Sequence, residues 1–309
     1  MFALPLLLML STNFQVVVGN PPEHEPPSGH WSTLAAMNAP HEYHSAVAVE
    51  GKVYAVGGTG PATLEEYDPQ ANHWKVLPGL PTPRDFLGAA AVGKRIFAVG
   101  GVTRASNAHA TVEVFDVRKN SWTSLAELTV PRNRLVAVAV DGKIYAIGGM
   151  TNNGNSGTVE VYDPQANRWT KRVDMPTARH GHCAVALGRK VLVIGGYSEE
   201  GKTASVEEYD TEQDRWAKRA HLPTPRGFLG AGAVGGKVYV VGGRVSGRPP
   251  VERYDPNTDT WQRLDPIPGA VRNRFGLAVL GERIYILGGE LQQDPALPKS
   301  VLCFVPSRS

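Results

Sequence analysis

Lys143-Ile144-Tyr145-Ala146-Ile147-Gly148-Gly149 is a short apolar run closed by two glycines. The phrase returns as YAVGG ending at Gly58, FAVGG at Gly101, LVIGG at Gly196, YVVGG at Gly243 and YILGG at Gly289. Successive second glycines stand 43, 48, 47, 47 and 46 residues apart. Self-similarity at that period denotes a chain built from one repeated supersecondary unit.

The unit around this stretch reads as four strands. Arg134–Val140 is a nearly continuous apolar run of strand length, and Asp141-Gly142 tolerates the positive φ of a two-residue hairpin. Lys143–Ile147 is the second apolar strand, and the glycine pair ends it where the backbone needs freedom. After the polar segment Met150–Gly157, Thr158–Tyr162 alternates as a half-buried third strand. Asp163-Pro164 opens a turn, and Trp169 begins a short fourth strand. Inner strands that are apolar on both sides need a sheet on each flank.

The spacings repeat with the phrase. Asp and Trp keep one separation in Asp68–Trp74, Asp116–Trp122, Asp163–Trp169, Asp210–Trp216 and Asp255–Trp261. Length varies mainly between the glycine pair and the next aromatic. Those stretches are Gly58–Tyr67, Gly101–Phe115, Gly149–Tyr162, Gly196–Tyr209, Gly243–Tyr254 and Gly289–Phe304, the first the shortest and the last the longest. Loops that vary on a rigid scaffold commonly carry function.

Glycine pair, aromatic and tryptophan at these distances resemble the kelch repeat, over residues 30–305. The resemblance implies an all-β fold: a six-bladed β-propeller of four-stranded antiparallel blades. The last unit has Phe304 but no following tryptophan, while Trp31 precedes the first complete unit. His30–Leu34 is therefore expected as the outer strand of the sixth blade, beside Ser300–Phe304, closing the ring and covering its edges. A coarser repeat is superimposed. PTPRDFLGAAAVG (81–93) returns as PTPRGFLGAGAVG (223–235), and VPRNRLVAV (130–138) as AVRNRFGLAV (270–279), so three blades read as duplicated.

Residues 1–19 carry no charged side chain, and their apolar stretch Phe2–Leu10 is too short to span a bilayer. Small residues follow, with cleavage expected before Asn20, as in a secretory signal peptide. No Lys or Arg follows Met1, which leaves a buried N-terminal segment or a misplaced start as the alternative. The expected location is secreted or periplasmic, or cytoplasmic if residues 1–19 are not a signal. Residues 20–29 are Pro-rich and polar, a tether.

A formal charge of +3 on 309 residues, without a basic tail, argues against a nucleic-acid binder. Cys183 and Cys303 hold different positions in their repeats and read as core thiols. No nucleophile elbow, phosphate loop or HExxH motif occurs. No cofactor or metal is expected. His180 and His182 could share a strand face, but no third ligand stands at a recognisable spacing.

In an antiparallel blade, the segment before the first strand and the loop after the glycine pair lie on one face. That face is expected to hold Arg84, Arg132, Arg134, Arg179, Arg226, Arg272 and Arg274, with Arg104, Arg244 and Arg248 from the variable loops. His41, Tyr43, His44, His180, His182, Asn133, Asn273, Phe86 and Phe228 belong there too. Converging guanidinium forks suit a carboxylate or phosphate ligand. Arg84, Arg132, Arg179, Arg226 and Arg272 recur at one repeat position, so a structural role competes with binding. The non-repeated His41, Tyr43, Asn133, Arg134, His180, His182, Asn273 and Arg274 are the stronger binding candidates. Glu65, Glu113, Glu160, Glu207 and Glu252, each shortly before the repeat aromatic, are expected to hold scaffold hydrogen bonds.

The resemblance implies a propeller that engages a protein or a glycan on its loop face; the arginines there extend this to an acidic ligand, and a monomeric, non-enzymatic module is the expectation. The rival is an exported sugar-modifying enzyme, such as a kelch protein of the sialic-acid mutarotase type. No motif transfers catalytic residues for it.

Overall fold

The computed structural model describes residues 29–59, 63–103, 107–245, 247–248, 250–269, 272–289 and 299–307. The expected signal segment, nearly all of the tether and Arg104 lie outside them. Six four-stranded antiparallel sheets form the blades of a propeller. Blade 1 comprises Ser45–Val49, Lys52–Val56, Leu64–Asp68 and His73–Leu77, in order from the inner strand outward. Blades 2 to 5 follow the same order, with inner strands Gly88–Val92, Val136–Val140, Cys183–Leu187 and Gly230–Val234.

Blade 6 is built from both ends of the chain. Gly276–Leu280, Arg283–Leu287 and Val301–Pro306 are completed by Gly29–Leu34, with Trp31 opposite Phe304. The expected closure is thus the observed one. The Asp141-Gly142 hairpin has φ of 48° and 75°, the two left-handed residues that a type I′ turn requires.

Apolar clusters fill the gaps between neighbouring blades; Val56, Leu64 and Leu87, for example, meet Ile96 and Phe115 between blades 1 and 2. The outer tryptophans of blades 1 to 5 also tie each blade to the previous one. Trp74, Trp122, Trp169, Trp216 and Trp261 donate Nε1–H to the carbonyls of Ala35, Pro78, Ala126, Val173 and Ala220 at 2.7–3.0 Å. The turn aspartates cap as expected: Asp163 accepts from the backbone of Gln165 at 2.9 Å.

Candidate functional site

Two rows of side chains organise the loop face, and each row keeps a fixed register to the first glycine of the pair. The first row is His41, Arg84, Arg132, Arg179, Arg226 and Arg272, set at one constant distance before Gly57, Gly100, Gly148, Gly195, Gly242 and Gly288. All six are at most 4% exposed. Arg132 meets Glu160 at 3.0 Å, Arg179 meets Glu207 at 2.7 Å and Arg226 meets Glu252 at 2.5 Å; Arg84 pairs with Glu113 likewise. Other guanidinium N–H groups donate to carbonyls of the same blade, such as Gly100 and Ala98 for Arg84, while Nε of Arg132, Arg179 and Arg226 is buried without a hydrogen-bond partner among the described residues. The glutamates also clamp the segment entering the blade: Glu160 accepts from the Thr129 backbone and hydroxyl at 2.8 and 2.6 Å.

Of the two roles the sequence leaves open for the repeated arginines, these contacts carry the scaffold role and correct the ligand-binding one. Arg84, Arg132, Arg179, Arg226 and Arg272 lie behind the face, spent on scaffold. Burial lowers the pKa of Arg132 to about 10, leaving it cationic beside its carboxylate at neutral pH. His41 is corrected in the same way. It holds the arginine position of blade 1, with Nδ1 on the Gly57 carbonyl at 3.1 Å and Nε2 on Glu65 at 3.0 Å. Its spacing to Gly57 carries the signal that identifies it. Blade 6 departs from the pattern: Leu302 occupies the glutamate position, and Arg272 donates to Gly288, Ser300 and the Ser300 hydroxyl instead.

The second row is Tyr43, Phe86, Arg134, Gly181, Phe228 and Arg274, each two positions after its first-row neighbour. Every member has positive φ, between 53° and 60°. Their backbones join into a closed ring, each N–H donating to the carbonyl of the previous blade. The bonds run Phe86 to Tyr43 at 2.9 Å, Arg134 to Phe86 at 2.8 Å, Gly181 to Arg134 at 3.1 Å, Phe228 to Gly181 at 2.7 Å, Arg274 to Phe228 at 3.3 Å and Tyr43 to Arg274 at 3.0 Å. The ring satisfies backbone groups that the blade ladders leave over, and it aims its side chains over the central channel.

Those side chains meet one another. The Arg134 guanidinium lies 4.7 Å from the Phe86 ring centre, and that of Arg274 lies 4.8 Å from Tyr43 and 4.9 Å from Phe228. Tyr43 packs on Phe86 at 4.4 Å, and Phe86 reaches within 6.3 Å of Phe228. Arg274 Nη1 donates to the Tyr43 hydroxyl at 2.7 Å. Gly181 makes room: a Cβ there would sit 3.0 Å from Phe228 Cε1. Beneath the row, the inner strands surround a cavity of about 260 Å³ walled by Ala46, Ala89, Ala137, Ala184, Ala231 and Leu277, with Gly88, Gly230 and Gly276.

His180 stands at the edge of this mouth. Its ring stacks on Tyr197 at 5.5 Å and approaches Phe228 at 6.0 Å, and its Nδ1 bonds Asn155 Oδ1 at 2.6 Å. Burial, then the neighbouring Arg134, lowers its pKa to about 4, so it is neutral at pH 7. His182 is buried lower, among the residues that line the cavity. Left-handed Gly181 breaks the strand alternation between the two histidines, so they do not share a face. His182 is wedged beneath Gly148 at the seam of blades 3 and 4, and His44 occupies the matching wedge against Gly276 of blade 6. Leu87, Leu135, Leu229 and Phe275 fill that wedge in the other blades. Burial lowers the pKa of His44 well below the usual value and that of His182 to about 3.

Asn133 pairs with Met150 through the backbone, and Asn273 is buried with its carbonyl against Gly289. Arg244 bridges to Gly227, and exposed Arg248 donates to the Ile267 carbonyl. No repeat or motif in the sequence singles out Tyr197, Met150 and Asn155, which come from the loops after the glycine pair. Nor does any single out Glu42 and Asp85, which precede Tyr43 and Phe86 and make the face mixed in charge. Among the described residues no helix is long and apolar enough to cross a membrane.

A family model described as the KLHDC2/KLHL20/DRC7 Kelch-repeats domain matches residues 43–174 and 171–289. Kelch-like protein 1 of Mus musculus is 49% identical over 39 residues, 13% of this chain and 5% of that protein, so the chain spans only a small part of its length. The solved structure of YjhT superposes with a TM-score of 0.77 at 18% identity, covering 87% of this chain and 95% of the other. At that identity the likeness carries the fold.

Proposed function

Since the chain belongs to the kelch-repeat family, we propose that it is a binding module whose ligand, a protein or a glycan, places an anionic group in the mouth of the propeller. One observation carries this. The row that varies from blade to blade brings Arg134 and Arg274 onto aromatic faces over the channel, while the row two positions earlier is fixed by scaffold contacts. A guanidinium supported over a ring face presents N–H groups to a planar anion, and aromatic side chains with arginine are the usual anchors of a binding surface. Peptide and glycan arrays probed with the protein and with Arg134→Ala and Arg274→Ala test this. Loss of the bound features in both variants is expected; binding unchanged in both would sink the assignment.

A second function, mutarotation of an acidic sugar, is favoured by one pair of groups. The Tyr43 hydroxyl accepts from Arg274, and neutral His180 stands beside the same mouth, so a phenol and a base share it. Anomer exchange followed by NMR decides it: no rate above buffer across acidic sugars leaves binding alone. We also infer export with removal of residues 1–19. N-terminal sequencing of the exported protein then begins at Asn20, and an intact Met1 would contradict it.

A further inference from the structure

The duplication of three blades places a pseudo-two-fold axis through the channel, and the mouth obeys it at two of its three pairs of positions. Arg134 and Arg274 are related, as are Phe86 and Phe228. The contact is repeated with the residues: each arginine lies over the phenylalanine of the preceding blade, at 4.7 Å and 4.9 Å. The third pair, Tyr43 and Gly181, breaks the symmetry, and Gly181 leaves the space that Phe228 leans into. The mouth therefore contains two copies of one anchoring unit, on opposite blades, with the two phenyl rings 6.3 Å apart between them.

From this repeated geometry we infer that the ligand is two-headed: a dicarboxylate on a flat or apolar spacer, one carboxylate on each arginine and the spacer along Phe86 and Phe228. This rests on the mouth being the binding site. Three physical points favour two anionic groups over one. Arg134 is anchored on Phe86, and Arg274 on Phe228 and Tyr43, so a single carboxylate shared by both would have to draw them off separate supports. A guanidinium over a ring face takes one carboxylate bidentately along a planar edge, and two guanidinia on separate rings take one each. The two cations also oppose each other: burial first, and then Arg274, disfavours the charged form of Arg134. Among the described residues no carboxylate pairs with Arg134, which touches the Phe86 face and Met150 Sδ. A dianion engages both repeated units at once, whereas a monoanion engages one.

The test is calorimetric titration of the whole protein with benzene-1,4-dicarboxylate and hexanedioate, each against its one-headed partner, benzoate and hexanoate. An acetylated peptide containing Glu-Gly-Glu forms a third arm, showing whether a polypeptide can supply the two heads. The dicarboxylates are expected to bind roughly tenfold or more tightly than the monocarboxylates, the gain of one further charge-assisted contact. Arg134→Ala and Arg274→Ala should each erase that advantage and by similar factors, because each removes one head's partner. Equal binding of one- and two-headed acids, still lost in both variants, would overturn the two-headed ligand and keep the mouth as the site. So would an array ligand that depends on both arginines but is not displaced by any dicarboxylate. Absence of binding by these acids together with blank arrays would remove the binding site itself.

Discussion

Arg132 and Arg134 are near neighbours in the chain, yet they belong to different parts of the molecule. Arg132 is fully buried and fixed by Glu160 and the carbonyls of its own blade. Arg134 leans on Phe86 across the blade boundary, at the mouth of the channel. The first row repeats because every blade needs the same internal tie, and the second varies because only its backbone is needed to close the ring. Repetition therefore marks scaffold and variation marks the candidate site.

The largest effect is expected inside the buried row. Arg179→Ala leaves Glu207 buried without its partner, and breaking such a pair costs on the order of 3–5 kcal/mol. Urea denaturation should show that loss, and a change below about 1 kcal/mol would mean the pair is not part of the scaffold. Arg272→Ala sharpens the point. Among the described residues no carboxylate is stranded in blade 6, where Leu302 stands, so its cost should be the smaller, on the order of 1–3 kcal/mol for lost hydrogen bonds.

The seams between the duplicated halves respond to acid. His182 has a folded pKa near 3 and an unfolded value of about 6.5, so above that value it is neutral in both states and contributes nothing. As the pH falls below about 6.5 the unfolded chain takes up the proton first, and stability declines. By pH 5 the loss from this residue is about 2 kcal/mol. His44, at the other seam, acts in the same direction. Melting temperatures from pH 7 to 5 should therefore fall. His182→Leu, which restores the residue of the other wedges, should flatten the decline; an unchanged slope would show that the ring is not buried.

At Gly181 the expected cost is smaller. A valine there must hold left-handed φ, at roughly 1–2 kcal/mol, and displaces the Phe228 ring. Ligand binding should weaken together with stability, and full binding by Gly181→Val would separate the aromatic cluster from the site. The smallest stability change belongs to Arg134→Ala, about 1 kcal/mol or less, in keeping with a partly exposed cation–π contact.

Most of the fold was legible because its determinants are local. Glycine pairs, hairpin turns and Asp-to-Trp spacings each lie within one blade, and the lone Trp31 against Phe304 revealed the closure. The recurrent glutamates are likewise legible as scaffold from their period alone. The site was harder to read because its contacts cross blades. Nothing local states that Arg274 meets Tyr43, from the far end of the chain, or that Tyr197 stacks on His180. Part of this was nevertheless available. Counting back from the first glycine of each pair puts His41 in register with the arginines and collects the mouth residues two positions later. Reading chemistry before register is what set His41 among the ligand candidates.

The central claim is that the varied row binds and the repeated row supports. Its most direct test is one paired measurement on Arg134→Ala/Arg274→Ala: binding to the features captured on the peptide and glycan arrays, and the melting temperature of the same sample. Binding is expected to disappear while the melting temperature stays within a few degrees of the parent. Retained binding, or a collapse in stability comparable to that of Arg179→Ala, would contradict the division between the two rows.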